Sequence, residues 1–123
     1  MCDNNQAFVD GQNFYMNTKA NNWSVDLKKF RIYLREKYNV DTDIVFTIMS
    51  KVVDREEFDK IFLVSGDGDY FRMVKYLVEN GRFGKLLSPN RHLTSSLYRT
   101  FPPKYIDFLD KPEIKKKIAY KEL

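Results

Sequence analysis

A lone cysteine, Cys2, is present in the 123-residue chain, which excludes an intrachain disulfide and any zinc site built from several thiolates. Histidine is as scarce: His92 stands alone, without a second imidazole to share a metal or an evident partner for a catalytic relay. No hydrophobic run approaches the roughly eighteen residues of a membrane-spanning helix, and Met1-Cys2-Asp3-Asn4-Asn5 is unlike a signal peptide. A cytoplasmic protein in a reducing compartment, with no membrane partner, is therefore expected. The chain also lacks a Gly-x-x-x-x-Gly-Lys phosphate loop, a nucleophile elbow and a dinucleotide fingerprint. Internal repeats and low-complexity stretches are absent too.

Aromatic residues, by contrast, are plentiful, and ten Phe with eight Tyr are enough for a substantial core. With 43% hydrophobic and 31% charged residues, wholesale disorder is excluded. The length allows one domain, or a domain and a tail. Charge is divided unevenly. Residues 1–80 carry 11 Lys/Arg against 13 Asp/Glu, whereas residues 81–123 carry 10 against 4. From Gly81 to Tyr105 there are five basic residues and no acid: Arg82, Lys85, Arg91, Arg99 and Lys104. Such a division suits carboxylates at a metal site and cations around a polyanion. An uneven solvated surface is the simpler alternative.

Hydrophobic patterning reads as alternating strands and helices. Gln6-Ala7-Phe8-Val9 is a buried strand running into a loop at Asp10-Gly11-Gln12-Asn13. Ser24 reads as the N-cap of a helix with Leu27, Phe30 and Leu34 at helical spacing, through to Tyr38. A second helix follows Asp41, with Ile44, Val45, Ile48, Met49 and Val52 on one face. Lys60-Ile61-Phe62-Leu63-Val64 is the clearest strand, apolar on both faces and so central and parallel. A helix over Phe71, Val74, Leu77 and Val78 ends at Asn80-Gly81, and Lys85-Leu86-Leu87 is a third strand. Leu93, Leu97 and Phe101 suggest a short helix stopped by Pro102-Pro103, and Tyr105–Leu109 a last strand or turn. The boundaries expected are a domain over 1–110 and a basic C-terminal helix or tail over 111–123. This order predicts an α/β domain with a parallel sheet, whose ligands gather beyond the carboxyl ends of the strands.

Two of the three legible strands end in acidic loops, Asp10 after the first and Asp67 and Asp69 after the central one, each beside a glycine that permits a tight turn. Asp41 and Asp43 open a helix bound for the same edge. An isolated aspartate at a strand end is usually a helix cap or turn former. Several converging would repel one another unless a cation neutralised them. Oxygen-only ligands favour Mg²⁺ or Mn²⁺ over zinc, and such an ion suits phosphate-ester hydrolysis.

Phe8-Val9-Asp10-Gly11-Gln12-Asn13 together with Leu63-Val64-Ser65-Gly66-Asp67-Gly68-Asp69-Tyr70 resembles the NYN domain, the LabA-like branch of the PIN-like nuclease superfamily. Asn39-Val40-Asp41-Thr42-Asp43-Ile44-Val45 is similar to its acidic middle motif, and Gly84-Lys85-Leu86-Leu87-Ser88-Pro89-Asn90 with Ser95, Ser96 and Leu97 to a later strand and serine-bearing segment. The likeness covers about residues 6–109. It implies a Rossmann-like, three-layer α/β/α PIN-like domain with a central parallel sheet, and a metal-dependent endoribonuclease. By position, Asp10, Asp41, Asp67 and Asp69 would form the catalytic metal site, with Asn13 as a polar ligand or water positioner. Ser65 would shape the turn, and Asp43 would assist or replace Asp41. One departure is visible: family members carry a further strand and helix where Tyr38-Asn39 here passes directly into Val40-Asp41.

On this reading Arg82, Lys85, Arg91, Arg99 and Lys104 steer the phosphates of single-stranded or structured RNA, and Tyr15, Trp23 or Tyr70 stack on unpaired bases unless they are core. Homo-oligomerisation is compatible with the sequence. Two alternatives stay open: a catalytically degenerate nucleic-acid-binding module, and a regulatory protein-interaction domain in which the acids merely cap helices.

Overall fold

Short apolar runs bounded by polar loops become fully buried strands. The computed structural model describes residues 5–40 and 60–120. Strands β1 (Gln6–Val9) and β2 (Ile61–Val64) are buried at every position. With β3 (Phe83–Ser88) and β4 (Ile106–Phe108) they form a parallel sheet in the order β1-β2-β3-β4. Val9 pairs with Val64 and Ser88 with Phe108, so the chain leaves the strands along one common edge. The expected central position of Ile61–Val64 is what the sheet shows.

The period-two alternation of strand side chains divides the core in two. Ala7, Val9, Phe62, Val64 and Leu87 share one cluster with Phe14, Phe30, Leu34, Ile114 and Ile118. Phe8, Ile61, Leu63, Phe83 and Leu86 share the other with Val74, Leu77 and Tyr98. Helices α1 (Gly11–Ala20), α2 (Leu27–Tyr38) and α4 (Pro112–Ile118) therefore cover one face, and α3 (Phe71–Glu79) the other. The result is a three-layer α/β/α domain. The lysine-rich α4 contributes Ile114 and Ile118 to the first cluster, at 4% and 0% exposure, so it is integral to that layer.

Three local expectations are corrected. The loop expected at Asp10–Asn13 is instead the start of α1, with Asp10 as its N-cap. Helix α2 is capped by Asp26, whose carboxylate accepts from the amides of Lys28 and Lys29 at 3.0 and 3.2 Å, and not by Ser24. Ser24 is held outside the helix: its carbonyl accepts from the Tyr120 amide at 2.8 Å, and Val25 bridges Ala119. The helix expected from Leu93, Leu97 and Phe101 is two 3₁₀ turns, Arg91–Leu93 and Ser96–Thr100, with Leu93 and Leu97 exposed and Tyr98 buried.

Asn39, in the left-handed conformation at φ 57°, closes α2, and Val40 then forms a parallel bridge with Asn5 beside β1. Asp41, Asp43 and the apolar face expected over Ile44–Val52 lie outside the described residues.

Candidate active site

Asp10 is fixed by the transition from β1 to α1. Its amide donates to the Val64 carbonyl at 3.1 Å, and its Oδ1 accepts from the Asn13 amide at 3.2 Å, satisfying an open donor of the first helical turn. Its Oδ2 accepts from the Ser65 hydroxyl at 3.4 Å. That same hydroxyl oxygen accepts from the Asp67 amide at 3.1 Å. Ser65, fully buried at the end of β2, thus joins the two acidic strand ends.

Asn13 braces the same junction. Its Oδ1 accepts from the Gly66 amide at 3.0 Å and from Asn17 Nδ2 at 3.2 Å. With its carbonyl oxygen so engaged, Asn13 ties α1 to the loop that follows β2, beside the acids where it was expected. Asp67 turns its Oδ1 to the Asp69 amide at 3.0 Å, and Asp69 itself is exposed. Gly66 and Gly68 serve close packing and do not supply positive-φ turns; among the described residues, Gly81 is the glycine with positive φ. A Cβ on Gly66 would come within 2.8 Å of Ser88 Oγ, and one on Gly68 within 2.7 Å of Ser95 Oγ.

Of the partners that hold this loop, Asn90 and Ser95 lie in the segment singled out by the resemblance, while Thr94 and Tyr98 carry no sequence signal. The Tyr98 hydroxyl donates to the Asp67 carbonyl, and the Ser95 amide donates to the Gly66 carbonyl at 2.9 Å. Behind them, Thr94 Oγ1 donates to the Asn90 carbonyl at 2.7 Å and Asn90 Nδ2 to the Asn17 carbonyl at 3.1 Å. Ser88 and Asn90, both buried, belong to the Ser88-Pro89-Asn90 run closing β3. Tyr70 is partly buried among the acids. Burial, then the charge of Asp10 and a hydrogen bond to it, then the charges of Asp67 and Asp69, push its phenol above the ordinary tyrosine range. Tyr70 therefore stays neutral beside the acids, and its ring packs against the second core cluster. Of the other two aromatic candidates, Tyr15 is 62% exposed, while Trp23 packs against the first core cluster.

The basic residues do not form one belt. Arg91 follows β3 at the carboxyl edge, where its amide donates to Asp110 Oδ2 at 3.0 Å and its guanidinium lies 5.0 Å over the Phe108 ring. Arg99 is exposed on the 3₁₀ turn whose capping Ser95 meets Gly68. Lys85 lies within β3, 5.8 Å over the Tyr38 ring. Arg82 precedes β3 at the opposite end of the sheet, and Lys104 precedes β4, 5.1 Å over the Tyr105 ring.

All the side-chain donors at the acidic edge are oxygens, which fits a hard divalent cation. Among the described residues, however, no three Asp, Glu, His or Cys side chains gather into a group that could hold a metal ion. Of the four acids expected to form the site, Asp10, Asp67 and Asp69 do not make such a group by themselves, and Asp41 lies outside the described residues. Two carboxylates with water completing the shell are enough for a bound Mg²⁺.

Together these features define an α/β domain of the kind that places its chemistry beyond the carboxyl ends of a parallel sheet. The family model described as NYN domain matches residues 24–109, and the chain belongs to that family, within the PIN-like nuclease superfamily. Ser65, Asp67 and Asp69 fall inside the matched span, and Asp10 and Asn13 reach it through the bonds just described. No curated protein and no solved structure matches the chain.

Proposed function

We propose that this protein is a cytoplasmic endoribonuclease that hydrolyses RNA phosphodiester bonds with Mg²⁺ or Mn²⁺. The observation that carries the reading is the Ser65 hydroxyl, which bonds Asp10 Oδ2 and the Asp67 amide and so fixes two acidic strand ends at one edge. Asp10 and Asp67 would hold the ion, with Asp69 exposed alongside. The bound metal would supply an activated water and stabilise charge on the phosphate. Ser65 and Asn13 keep the carboxylate-bearing backbone in place, and Tyr70 keeps its proton beside Asp10. Arg91, which follows β3 at the carboxyl edge, and Arg99, on the turn whose Ser95 meets Gly68, would draw in the phosphates. Asp41 and Asp43 remain candidates for completing the site.

The test is a thermal-unfolding titration with Mn²⁺ and with Mg²⁺. A bound ion stabilises the folded state by mass action, so both should raise the melting temperature of the wild type. Asp10→Asn and Asp67→Asn retain a side-chain oxygen for capping but remove a charge, so their gain should be much smaller. Equal gains in wild type and both variants would place the metal elsewhere.

A further inference from the structure

The described residues form a further cationic surface besides the basic residues singled out in the second half of the sequence. That surface is formed by α2 and α4, which are 74 residues apart at their nearest ends (Tyr38 and Pro112) yet pack side by side. They run antiparallel. Lys37, late in α2, and Lys111, just before α4, both pair with Asp107, at 3.8 and 2.8 Å, while the Asp26 amide at the start of α2 donates to the Ile118 carbonyl at the end of α4 at 2.8 Å. The two helices carry eight Lys/Arg and two Glu, a net +6 against +4 for the whole chain. Between them lies a trough of about 590 Å³ lined by Lys29, Ile32, Tyr33, Glu36, Lys37 and Lys117.

We infer that this trough is a second nucleic-acid contact surface, separate from the acidic edge, which binds the phosphodiester backbone of RNA. The inference rests on the nucleic-acid reading above. Three of the six lining residues are lysines, against one acid. The charges continue along the outside of α2 at Lys28, Arg31 and Arg35, all exposed. A helix of twelve residues is about 18 Å long at 1.5 Å per residue, enough to face several successive phosphates. Lys37 lies 5.6 and 5.7 Å over the rings of Tyr33 and Tyr38, which holds its stem against the wall. An anionic bilayer shares the phosphate chemistry, but Ile32 is the one aliphatic side chain of the lining, too little apolar surface to bury in a membrane interface. None of the six belongs to the loops bearing Asp10, Asp67 or Asp69. The trough would therefore hold a strand whether or not the acids are loaded with metal.

The experiment measures binding of a fluorescently labelled single-stranded RNA in EDTA across a salt series. Replacing Lys29, Lys37 and Lys117 together by Gln removes up to three phosphate contacts, and the slope of log affinity against log salt should fall by about 2. The corresponding triple Arg variant should keep the wild-type slope. Should the Gln triple fail to fold, Lys117→Gln alone, at an exposed position, should still lower the slope by about 0.7. An unchanged slope in a folded Gln triple, or in Lys117→Gln, overturns the inference. So does preferential capture by phosphatidylserine vesicles over RNA through the same lysines. Absence of cleavage by the wild type would bear on the nuclease reading alone, because the binding series is run without metal.

Discussion

The hydroxyl of Tyr98 donates to the main-chain carbonyl of Asp67, joining residues 31 positions apart. Tyr98 is fully buried in the core on the α3 face, so the acidic loop is anchored from beneath by a side chain that packing already holds in place. Tyr98→Phe keeps the packing and deletes the anchor, leaving a carbonyl without its partner. The expected cost is about 1–3 kcal/mol, read from denaturant midpoints. Nuclease activity should fall further than this stability loss explains, because Asp67 is released. Wild-type activity in a destabilised Tyr98→Phe would separate the anchor from function.

Asp107, on β4, makes stability depend on pH in acid. Burial alone would push its carboxyl up, but the hydrogen bond from Lys111, the Phe108 amide, and the charges of Lys111 and Lys37 outweigh it and hold the carboxyl below its ordinary value. A carboxyl lowered in the folded state stabilises fully above its unfolded pKa, about 3.9, and that stability is lost as pH falls through the folded value. Lys111→Met should therefore move acid unfolding to higher pH. Asp107→Asn should flatten the dependence of stability on pH below about 4. Parallel acid-unfolding curves for wild type and Lys111→Met would show that the pair contributes nothing.

Gly84 and Phe62 lie on adjacent strands. A Cβ at position 84 would stand 2.5–2.8 Å from three atoms of the Phe62 ring. Gly84→Ala must displace that ring from the core cluster it shares with Val64 and Leu87, at about 1–3 kcal/mol. A combined Gly84→Ala and Phe62→Leu variant should recover part of the loss. Chemical denaturation of both variants decides this. A neutral Gly84→Ala would contradict the packing described.

The sequence made plain those elements whose apolar pattern matched their surroundings. β2, α2, α3 and β3 are strongly patterned and bury most of the apolar residues that the pattern selects, although Leu27 at the start of α2 is exposed. α1 was hidden because its buried residues are Phe14, Asn17 and Thr18, two of them polar, and its helical start depends on a cap from Asp10. The period of Leu93, Leu97 and Phe101 misled because Pro102 follows and the segment instead tightens into 3₁₀ turns that bury Tyr98. At the site, Asp10, Ser65, Asp67 and Asn13 were legible from their places after strands. Asn17, Asn90, Thr94 and Tyr98 join them only through long-range bonds that no local spacing encodes. The cationic trough escaped notice for the same reason, since two of its three lysines lie in the segment whose overall charge is negative.

Cleavage of single-stranded RNA by purified wild type, Asp10→Asn and Asp67→Asn, compared in EDTA, Ca²⁺, Mg²⁺ and Mn²⁺, tests the central claim most directly. Wild type should cut with Mg²⁺ and Mn²⁺ and not in EDTA. Ca²⁺, with its larger and looser shell, should support little turnover. Both variants should be inactive with every metal while retaining a cooperative unfolding transition. Cleavage that survives EDTA, or that persists in Asp67→Asn, would contradict the assignment of the acidic edge. Tight RNA binding without cleavage under any metal would make the protein a binding module and not a nuclease.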